Sequence, residues 1–321
     1  MSDTSPQGVL VCDKPQGLSS HGVVSRIRRW FGTKKVGHAG TLDPMATGVL
    51  VLGLGRGTKL LTYITGVSKT YFATIRLGSS TPTDDADSEP DRFAAPDALA
   101  RVDTAAIEAA VAELRGPIDQ VPSAVSAIKV DGKRSYARVR AGEDVELKAR
   151  RVEISAFEII DIRFSADDGQ IDVDVEVDCS SGTYVRALAR DVGTDLGVFG
   201  HLTALRRTRV GDFHIDQAVT LPEDLDVPAA DLISLAEAAH TLLPVVTVDV
   251  DQATALMQGK TVASAEWRSD SGDADLRAES GAADSANREV AVVCDDALVS
   301  VAEVRRDGGL KSLTAFAIDL A

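Results

Sequence analysis

The chain has 321 residues, of which 44% are hydrophobic and 26% are charged, and its formal net charge is −15. This length is too great for one ordinary hydrophobic core and predicts about two domains in a globular chain. No apolar run approaches the roughly 18 residues that a membrane helix needs. The first residues lack the layout of a signal peptide, so a cytoplasmic protein is expected.

The negative net charge hides a basic N-terminal region. Residues 1–80 carry ten lysines and arginines against three acids, a net charge of +7, and the rest of the chain holds −22. Binding of a polyanion depends on local potential, so a basic face on an acidic body can bind nucleic acid. Charge alone favours this interpretation no more than one in which acids from elsewhere cancel the basic region.

The first predicted elements are a strand and an amphipathic helix. The apolar run at 8–15 ends in a proline turn and is typical of a strand. Ser19 and Ser20 are good helix N-caps, and an apolar stripe at helical spacing follows as far as Gly32. The other side of this helix is rich in arginine. Candidate contacts for phosphate groups are Arg26, Arg28, Arg29, Lys34 and Lys35.

The next segments alternate between irregular and regular patterns. Residues 37–48 are glycine-rich and irregular, and strands are predicted at 49–54 and 69–77. The segment 81–97 contains six acids and one arginine. This composition predicts a solvated loop and not a functional site. Residues 97–114 have the periodicity of a helix.

A second basic region spans 127–151 and has a net charge of +4. A solvated helix-loop segment and a mobile arm that closes on a polyanion are equally compatible with it. Residues 170–179 alternate between apolar and acidic side chains and form the clearest predicted strand, and 183–196 is typical of a helix.

The character of the chain changes after about residue 247. A helix is predicted at 248–259 and short strands at 290–304 and 312–320. The segment between them, 264–288, is rich in Ser, Asp, Ala and Gly and is expected to be a disordered loop. This pattern predicts a small β-rich C-terminal module.

Motifs for common cofactors are missing from the sequence. The glycine-rich run at 53–59 lacks the spacing of a phosphate-binding loop, and there is no GxSxG elbow. The five histidines show no metal-ligand spacing, and Cys12, Cys179 and Cys294 are typical of buried small side chains. Neither a metal nor a cofactor is expected.

Asp43 is the only acid between Asp13 and Asp84 and lies within GHAGTLDPMATGVL at 37–50. Pro44 biases Asp43 away from helical conformation. A carboxylate among cations stays ionised at neutral pH and is available as a nucleophile or a base. On composition alone, an aspartate that bonds backbone amides in an Asx-turn is the simpler interpretation.

The segment around Asp43 closely resembles the catalytic motif of the TruB family of bacterial tRNA pseudouridine-55 synthases. Further segments resemble that family in its order, and together they cover about residues 8–215. These segments are VCDKPQGLSSHGVV, SKTYFATIRLG, VPSAVSAIKVDGKRSYARVRAG, CSSGTYVRALARDVG and GHLTALRRTRVGDF. The C-terminal stretch resembles the family's RNA-binding PUA-like module more weakly.

The resemblance implies an α+β pseudouridine synthase fold for residues 1–247, with a mixed, mainly antiparallel sheet and a central cleft. An RNA-gripping insertion would lie at about 121–151, and a PUA-like domain would occupy 248–321. The implied reaction isomerises uridine 55 in the T-loop of tRNA. The N1–C1′ bond breaks, the uracil turns over, and C5 bonds to C1′.

The resemblance also implies roles for single residues. Asp43 matches the catalytic aspartate, and it stays open whether it attacks C1′ or takes the C2′ proton. Arg186 matches the arginine that pairs with this aspartate, and a structural or phosphate-binding role is its alternative. Tyr71 matches the tyrosine that stacks on the flipped uracil, and its hydroxyl could move a proton at C5. Taken alone, a tyrosine on a strand would more often be a core residue.

Four further residues are implied at or near the same site. Tyr184 and Leu205 look like residues that line the pocket, and Tyr184 would share a face with Arg186 on an extended segment. His38 resembles the histidine that fills the space left by the flipped base. Lys14 is placed near the cleft, with a solvated turn lysine as the alternative.

The implied partner is the T-arm of tRNA, bound by a monomer that needs neither a guide RNA nor a protein. Two other interpretations remain. One is a non-catalytic RNA-binding protein or chaperone that folds tRNA. The other is a guide-RNA-dependent pseudouridine synthase of the archaeal and eukaryotic type, which shares the GxLDPxAxG core. The insertion at 121–142 argues against the second.

Overall fold

The described residues form two large β-sheets, one of ten strands and one of five, beside two sheets of two strands each. They are seen in a computed structural model, which describes residues 5–125, 129–130, 133–134, 147–165, 169–263, 268–269 and 288–316. Within these residues, no helix is both long and apolar enough to cross a membrane.

The strands of the described residues are numbered in chain order. They are β1 Gly8–Lys14, β2 Val36–Ala39, β3 Thr47–Leu54, β4 Lys69–Leu77, β5 Ser79–Ser80, β6 Arg92–Phe93, β7 Gly116–Gln120, β8 Lys129–Val130, β9 Lys133–Arg134, β10 Arg150–Phe164, β11 Ile171–Cys179, β12 Gly200–Val210, β13 Phe213–His214, β14 Val219–Thr220, β15 Val245–Thr247, β16 Arg268–Ser269, β17 Arg288–Cys294, β18 Ala297–Val304 and β19 Leu310–Ala315. The helices are α1 Ser20–Trp30, α2 Leu61–Thr65, α3 Pro96–Leu99, α4 Thr104–Glu113, α5 Val185–Asp195, α6 Leu235–His240 and α7 Val250–Met257.

The larger sheet is mixed and mainly antiparallel, and the expected α+β class is confirmed. Its strands follow the order β14-β1-β3-β12-β4-β11-β10-β7, with β2 beside β3 and β13 beside β12. The pairs β1–β14 and β3–β12 are parallel. Strand β4 lies near the middle of this order, and its side chains alternate between a buried face with Tyr71 and an opposite face with Phe72. This placement brings Tyr71 near the middle of the larger sheet.

Helix α1 forms where the sequence predicts it, because its cap and its apolar stripe agree. The Ser19 hydroxyl accepts a hydrogen bond from the backbone N–H of Gly22 and caps the first turn. Val23, Val24 and Ile27 are buried against apolar residues of β1 and β3. The helix therefore covers one face of the sheet and leaves its arginine-rich side outward.

Two predicted elements differ from the structure. The segment 37–48, expected to be irregular, begins within β2, which pairs with β3 in an antiparallel ladder. The helix predicted at 97–114 is two helices, α3 and α4. The Asp103 carboxylate accepts a hydrogen bond from the Ala106 backbone N–H and starts α4 anew. Periodicity does not show such a break, because the apolar spacing continues across it.

The glycine at position 48 allows β3 and β12 to meet at the end of the segment that carries Asp43. Gly48 has φ +99, and a Cβ built there would lie 2.1 Å from the backbone oxygen of Arg207. Gly48 and Arg207 are partners in the short parallel ladder between the two strands. Only glycine fits this close approach without displacing backbone atoms.

The five-stranded sheet and α7 form the small β-rich C-terminal part that the sequence predicts. Its order is β16-β15-β17-β18-β19, so it begins at β15, near the predicted boundary at 247/248. Val9 and Val11 of β1 share one buried cluster with Ala291 and Val301 of this sheet. The two sheets are therefore joined by a common core, and the boundary itself stays a prediction.

Some predictions fall on other parts of the chain. Most of the basic region at 127–151 and of the polar loop at 264–288 lies outside the described residues, as does 317–321. Strands β17, β18 and β19 confirm the predicted C-terminal strands within the described part. Cys12, Cys179 and Cys294 are free and buried, as expected.

Candidate active site

A pocket of about 410 Å³ opens where the segment 40–43, β4, β12 and the start of α5 converge. Five of the seven site residues expected from the sequence line its wall. They are Asp43, Tyr71, Tyr184, Arg186 and Leu205. Tyr71 and Leu205 are far apart in the chain and meet here because β4 and β12 are adjacent strands.

Asp43 and Arg186 form an ion pair on this wall. The Nε atom of Arg186 lies 3.0 Å from Oδ2 of Asp43, and the two side chains are 5% and 36% exposed. The buried Ser20 hydroxyl bonds both the N–H and the C=O of Leu42, which precedes Asp43 in the chain. A buried guanidinium and a fixed backbone together hold the carboxylate in one orientation while leaving it reachable.

Arg186 also pairs with Asp85, which the sequence analysis placed in a solvated loop. Its Nη1 atom lies 3.3 Å from Oδ2 of Asp85, whose side chain is only 2% exposed. The same guanidinium donates to the backbone oxygens of Thr83 and Val125 at 2.7 and 3.0 Å. The expectation of a solvated segment at 81–97 is therefore wrong at this end. Its composition is acidic, but one of its acids folds over a buried arginine.

Burial raises the pKa of Asp43 above its ordinary value. Desolvation is the largest cause, the Arg186 guanidinium opposes it, and the like charge of Asp85 adds to it. The cations that surround Asp43 in the sequence act in the opposite direction and alone predict no such rise in its pKa. A carboxylate with a raised pKa is a stronger base once it is ionised, which suits either role left open for Asp43.

Tyr71 lies on β4, is 8% exposed and faces the pocket. Desolvation raises the pKa of its hydroxyl, and the Arg207 guanidinium opposes this rise through its charge and as a hydrogen-bond partner. Arg207 and Lys69 also line the pocket and were not selected from the sequence. Arg207 is two residues beyond Leu205 on a strand, so the period of two was the signal that could have found it.

Lys69 is a buried cation at the same wall. Its ammonium donates to the backbone oxygens of Thr65 and Val67, and burial lowers its pKa to about 8. Lys69 is the first residue of β4, and a lysine at the end of a strand is usually solvated. Nothing in the sequence therefore indicates that Lys69 lines a pocket.

Tyr184 and Arg186 lie on the same wall for a different reason from the one expected. Tyr184 is the N-cap of α5, and Arg186 is in its first turn, so the segment is not extended. The Gln120 side chain accepts a hydrogen bond from the Tyr184 N–H and donates one to the Tyr184 carbonyl, at 2.8 and 3.1 Å. These two bonds set the direction in which the helix begins.

Lys14 and His38 do not line the pocket. Lys14 is buried, and its ammonium donates to the carbonyls of Leu18, Pro15 and Pro44 at 2.6, 3.0 and 3.3 Å. A solvated turn lysine is therefore ruled out, and burial lowers the Lys14 pKa to about 8. His38 is half-buried on β2, edge-on to His21 at 6.3 Å. Burial lowers the pKa of His38.

The candidate phosphate contacts on and after α1 differ in their surroundings. Arg26 is engaged with the carbonyls of Pro222 and Glu223. Arg28 donates to the carbonyl of Val36 but remains exposed. Arg29, Lys34 and Lys35 are also exposed. Four of the five predicted cations are therefore open to solvent.

Comparison with known proteins agrees with this arrangement. A model of the N-terminal domain of TruB family pseudouridylate synthases matches residues 28–185, and one of the tRNA pseudouridylate synthase B C-terminal domain matches 186–245. The tRNA pseudouridine synthase B of Corynebacterium diphtheriae is 57% identical over 79% of this chain and 83% of its own length. That of Mycobacteroides abscessus is 53% identical over 90% of this chain and 96% of its own.

Among solved structures, an H/ACA RNP bound to a substrate RNA containing 2′-deoxyuridine is similar in fold. One of its chains matches with a TM-score of 0.69 at 23% identity, covering 97% of this chain and 85% of that chain. This likeness extends across both sheets and concerns the fold alone. The family models and the curated relatives decide the family: this chain belongs to the TruB family of pseudouridylate synthases.

Proposed function

We propose that this protein isomerises uridine 55 in the T-loop of tRNA to pseudouridine. The relatives named tRNA pseudouridine synthase B, at 53 to 57% identity, support tRNA as the substrate. The observation that carries the chemistry is the ion pair between Asp43 and Arg186 at the wall of the pocket that Tyr71 and Leu205 also line. Such a pocket suits a single flipped pyrimidine.

The pocket supplies a face and a wall for the base. The ring of Tyr71 offers a planar surface on which a uracil can stack, and Leu205 lies on the same wall. An apolar wall keeps water from a sugar that has lost its base, and this prevents hydrolysis. An isomerase needs this exclusion, because the detached uracil must return to the same C1′.

Asp43 is the group proposed to act on the sugar. Held by Arg186, its carboxylate either bonds to C1′ or removes the proton at C2′ as the N1–C1′ bond breaks. The uracil then turns over, and its C5 bonds to C1′. The product has lost a proton at C5 and gained one at N1, so no oxidant, reductant or water is consumed.

His38 is proposed to act on the RNA and not on the base in the pocket. It lies outside the pocket wall, on the strand that precedes the Asp43 segment. A ring in this position can fill the gap that a flipped base leaves in the T-loop, which offsets part of the cost of flipping. Lys14 is proposed to hold the Asp43 segment through the Pro44 carbonyl.

We also propose that the protein acts as a monomer on the T-arm, without a guide RNA or a protein partner. The exposed cations Arg28, Arg29, Lys34 and Lys35 provide phosphate contacts near the catalytic part. Residues 1–247 would form the catalytic domain and 248–321 a PUA-like RNA-binding domain. A tRNA-modifying role is consistent with a cytoplasmic location.

The experiment is conversion of a T-arm hairpin by the purified chain alone, followed by chemical mapping of pseudouridine. The expected product carries pseudouridine only at the position of uridine 55, and a hairpin with cytidine there stays unmodified. RNA that is bound and released unchanged would support a non-catalytic tRNA-folding protein instead. Conversion that appears only after guide RNA is added would support a guide-dependent enzyme.

A further inference from the structure

Arg207 differs from the arginines beside it on β12. Arg206 pairs with Asp13, and Arg209 pairs with Asp178. Arg207 is 1% exposed, and within the described part of the chain it pairs with no carboxylate but donates to the carbonyls of Val49 and Gly40, at 2.7 and 3.0 Å. Burying a guanidinium against neutral carbonyls is costly, so its charge calls for an explanation.

The two carbonyls lie on either side of Asp43 in the chain. Gly40 precedes it and Val49 follows it, so one guanidinium connects both ends of the segment that carries the carboxylate. A Cβ at Gly40 would lie 3.3 Å from Nη1 of Arg207, which shows how closely this segment approaches the guanidinium. Arg207 therefore fixes the Asp43 segment against β12.

The same guanidinium acts on the hydroxyl of Tyr71. Arg207 and Tyr71 are cross-strand partners in the β12–β4 ladder, and both line the pocket. Among the described residues, three charged or titratable groups on different elements act on the pKa of this hydroxyl: Arg207 on β12, Cys179 on β11 and Asp43 on its own segment. Of these, Arg207 alone favours a negative charge on the Tyr71 oxygen.

We propose that Arg207 is a positioning residue that orients the Tyr71 hydroxyl and stabilises the negative charge this oxygen carries during proton transfer from C5. The inference rests on the proposed function. After C5 has bonded to C1′, the C5–H bond breaks and its electron pair restores the ring double bond. The number of protons is conserved if Tyr71 gives its own proton to N1 of the detached uracil and later takes the proton from C5.

Between those two transfers the Tyr71 oxygen is a phenolate inside a buried pocket. Water cannot solvate it there, so a fixed cation that has only carbonyl partners among the described residues is well suited to stabilise it. Burial otherwise raises the pKa of this hydroxyl and disfavours the phenolate. This need explains why a charged side chain occupies the position of Arg207.

A double-mutant cycle tests the proposal, with single-turnover release of tritium from C5-labelled uridine in a T-arm hairpin as the readout. The variants are Arg207→Met, Tyr71→Phe and the two combined. Arg207→Met is expected to slow release by about 10²-fold or more in the parent, in the range typical of proton-transfer groups. In the Tyr71→Phe background the slowing factor should be at least about tenfold smaller, because the hydroxyl is already gone and only the loss of the hold on the Asp43 segment remains.

Arg206→Met is the matched control. Arg206 directly precedes Arg207 on β12 and does not line the catalytic pocket. Its rate at saturating enzyme should stay within about threefold of the parent. Arg207→Lys keeps the charge and should recover at least about tenfold of the rate that Arg207→Met loses. If Arg207→Met is unfolded in thermal melts, the cycle is run with Arg207→Gln, which removes the charge and keeps a hydrogen-bond donor.

Equal slowing by the Arg207 substitution in both backgrounds would overturn the proposal, because a purely structural role acts without the Tyr71 hydroxyl. Absence of tritium release from the parent protein would be a different result. It would refute the proposed function. Release by the parent, together with equal slowing by the Arg207 substitution in both backgrounds, would refute only the role of Arg207.

Discussion

At the scale of single residues, one arginine holds two carboxylates in different environments. Arg186 contacts Asp43, which is partly exposed to the pocket, and Asp85, which is buried. Only Asp43 can reach a substrate. Asp85 neutralises the guanidinium and orients it, and its negative charge also raises the pKa of Asp43.

This arrangement predicts how the reaction depends on pH. Asp43 is proposed to act as an anion, so the single-turnover rate should fall as the pH drops through its raised pKa. Asp85→Asn removes a like charge, which lowers the pKa of Asp43 and shifts this fall to lower pH. The maximal rate should also drop by about tenfold or more, because Arg186 loses a partner. Rates measured from pH 4 to 8 check both effects. If the rate of Asp85→Asn falls at the same pH as that of the parent, or at a higher pH, Asp85 does not raise the pKa of Asp43.

The sequence predicted the residues of the site that belong to local motifs. Asp43, Tyr71, Arg186 and Leu205 were assigned from segments of the chain that resemble one family, and the structure brings them to one pocket. Asp85 was not predicted as a site residue, because its acidic surroundings are typical of a solvated loop. Its contact with Arg186 joins residues about a hundred positions apart, and composition carries no information on such contacts.

At the scale of elements, the approach of β3 to β12 decides where the Asp43 segment ends. We predict that Gly48→Ala lowers the free energy of unfolding by about 2–4 kcal/mol, since the new Cβ would lie 2.1 Å from a backbone oxygen at φ +99. Urea denaturation measures this change. Gly66→Ala is the control, because nothing lies within 4 Å of its Cβ position. Equal stability of the two variants would show that the strands can separate at little cost.

Elements with a strong local pattern were predicted well. Strand β4 has the predicted bounds, and α1 begins at its predicted cap. The prediction of a single helix at 97–114 was wrong, because Asp103 is the N-cap of a second helix although the apolar periodicity continues across it. Strand β2 was missed, since its pairing with β3 depends on a distant partner and not on its own glycine-containing sequence.

At the scale of the whole molecule, an acidic protein is proposed to bind a polyanion through a local basic surface. Affinity for the T-arm should fall as salt rises, because phosphate contacts release counterions. Lys34→Glu combined with Lys35→Glu should reduce the slope of log affinity against log salt by about 1 to 2. Glu89→Lys is the control, as Glu89 is exposed in the acidic segment. Filter binding at several salt concentrations measures these slopes. A slope near zero for the parent protein would exclude RNA binding through the basic surface.

The central claim is that Asp43 acts chemically on the sugar, and Asp43→Asn tests it most directly. Asn retains the shape and can keep turn hydrogen bonds, so the fold should change little. The measurement is single-turnover release of tritium from C5-labelled uridine in a T-arm hairpin, with filter binding and a thermal melt of the same preparation. For Asp43→Asn we expect no detectable release, with RNA affinity and melting temperature close to those of the parent. Release at more than a few per cent of the parent rate would contradict it, and a joint loss of binding and stability would show that Asp43 serves the fold instead.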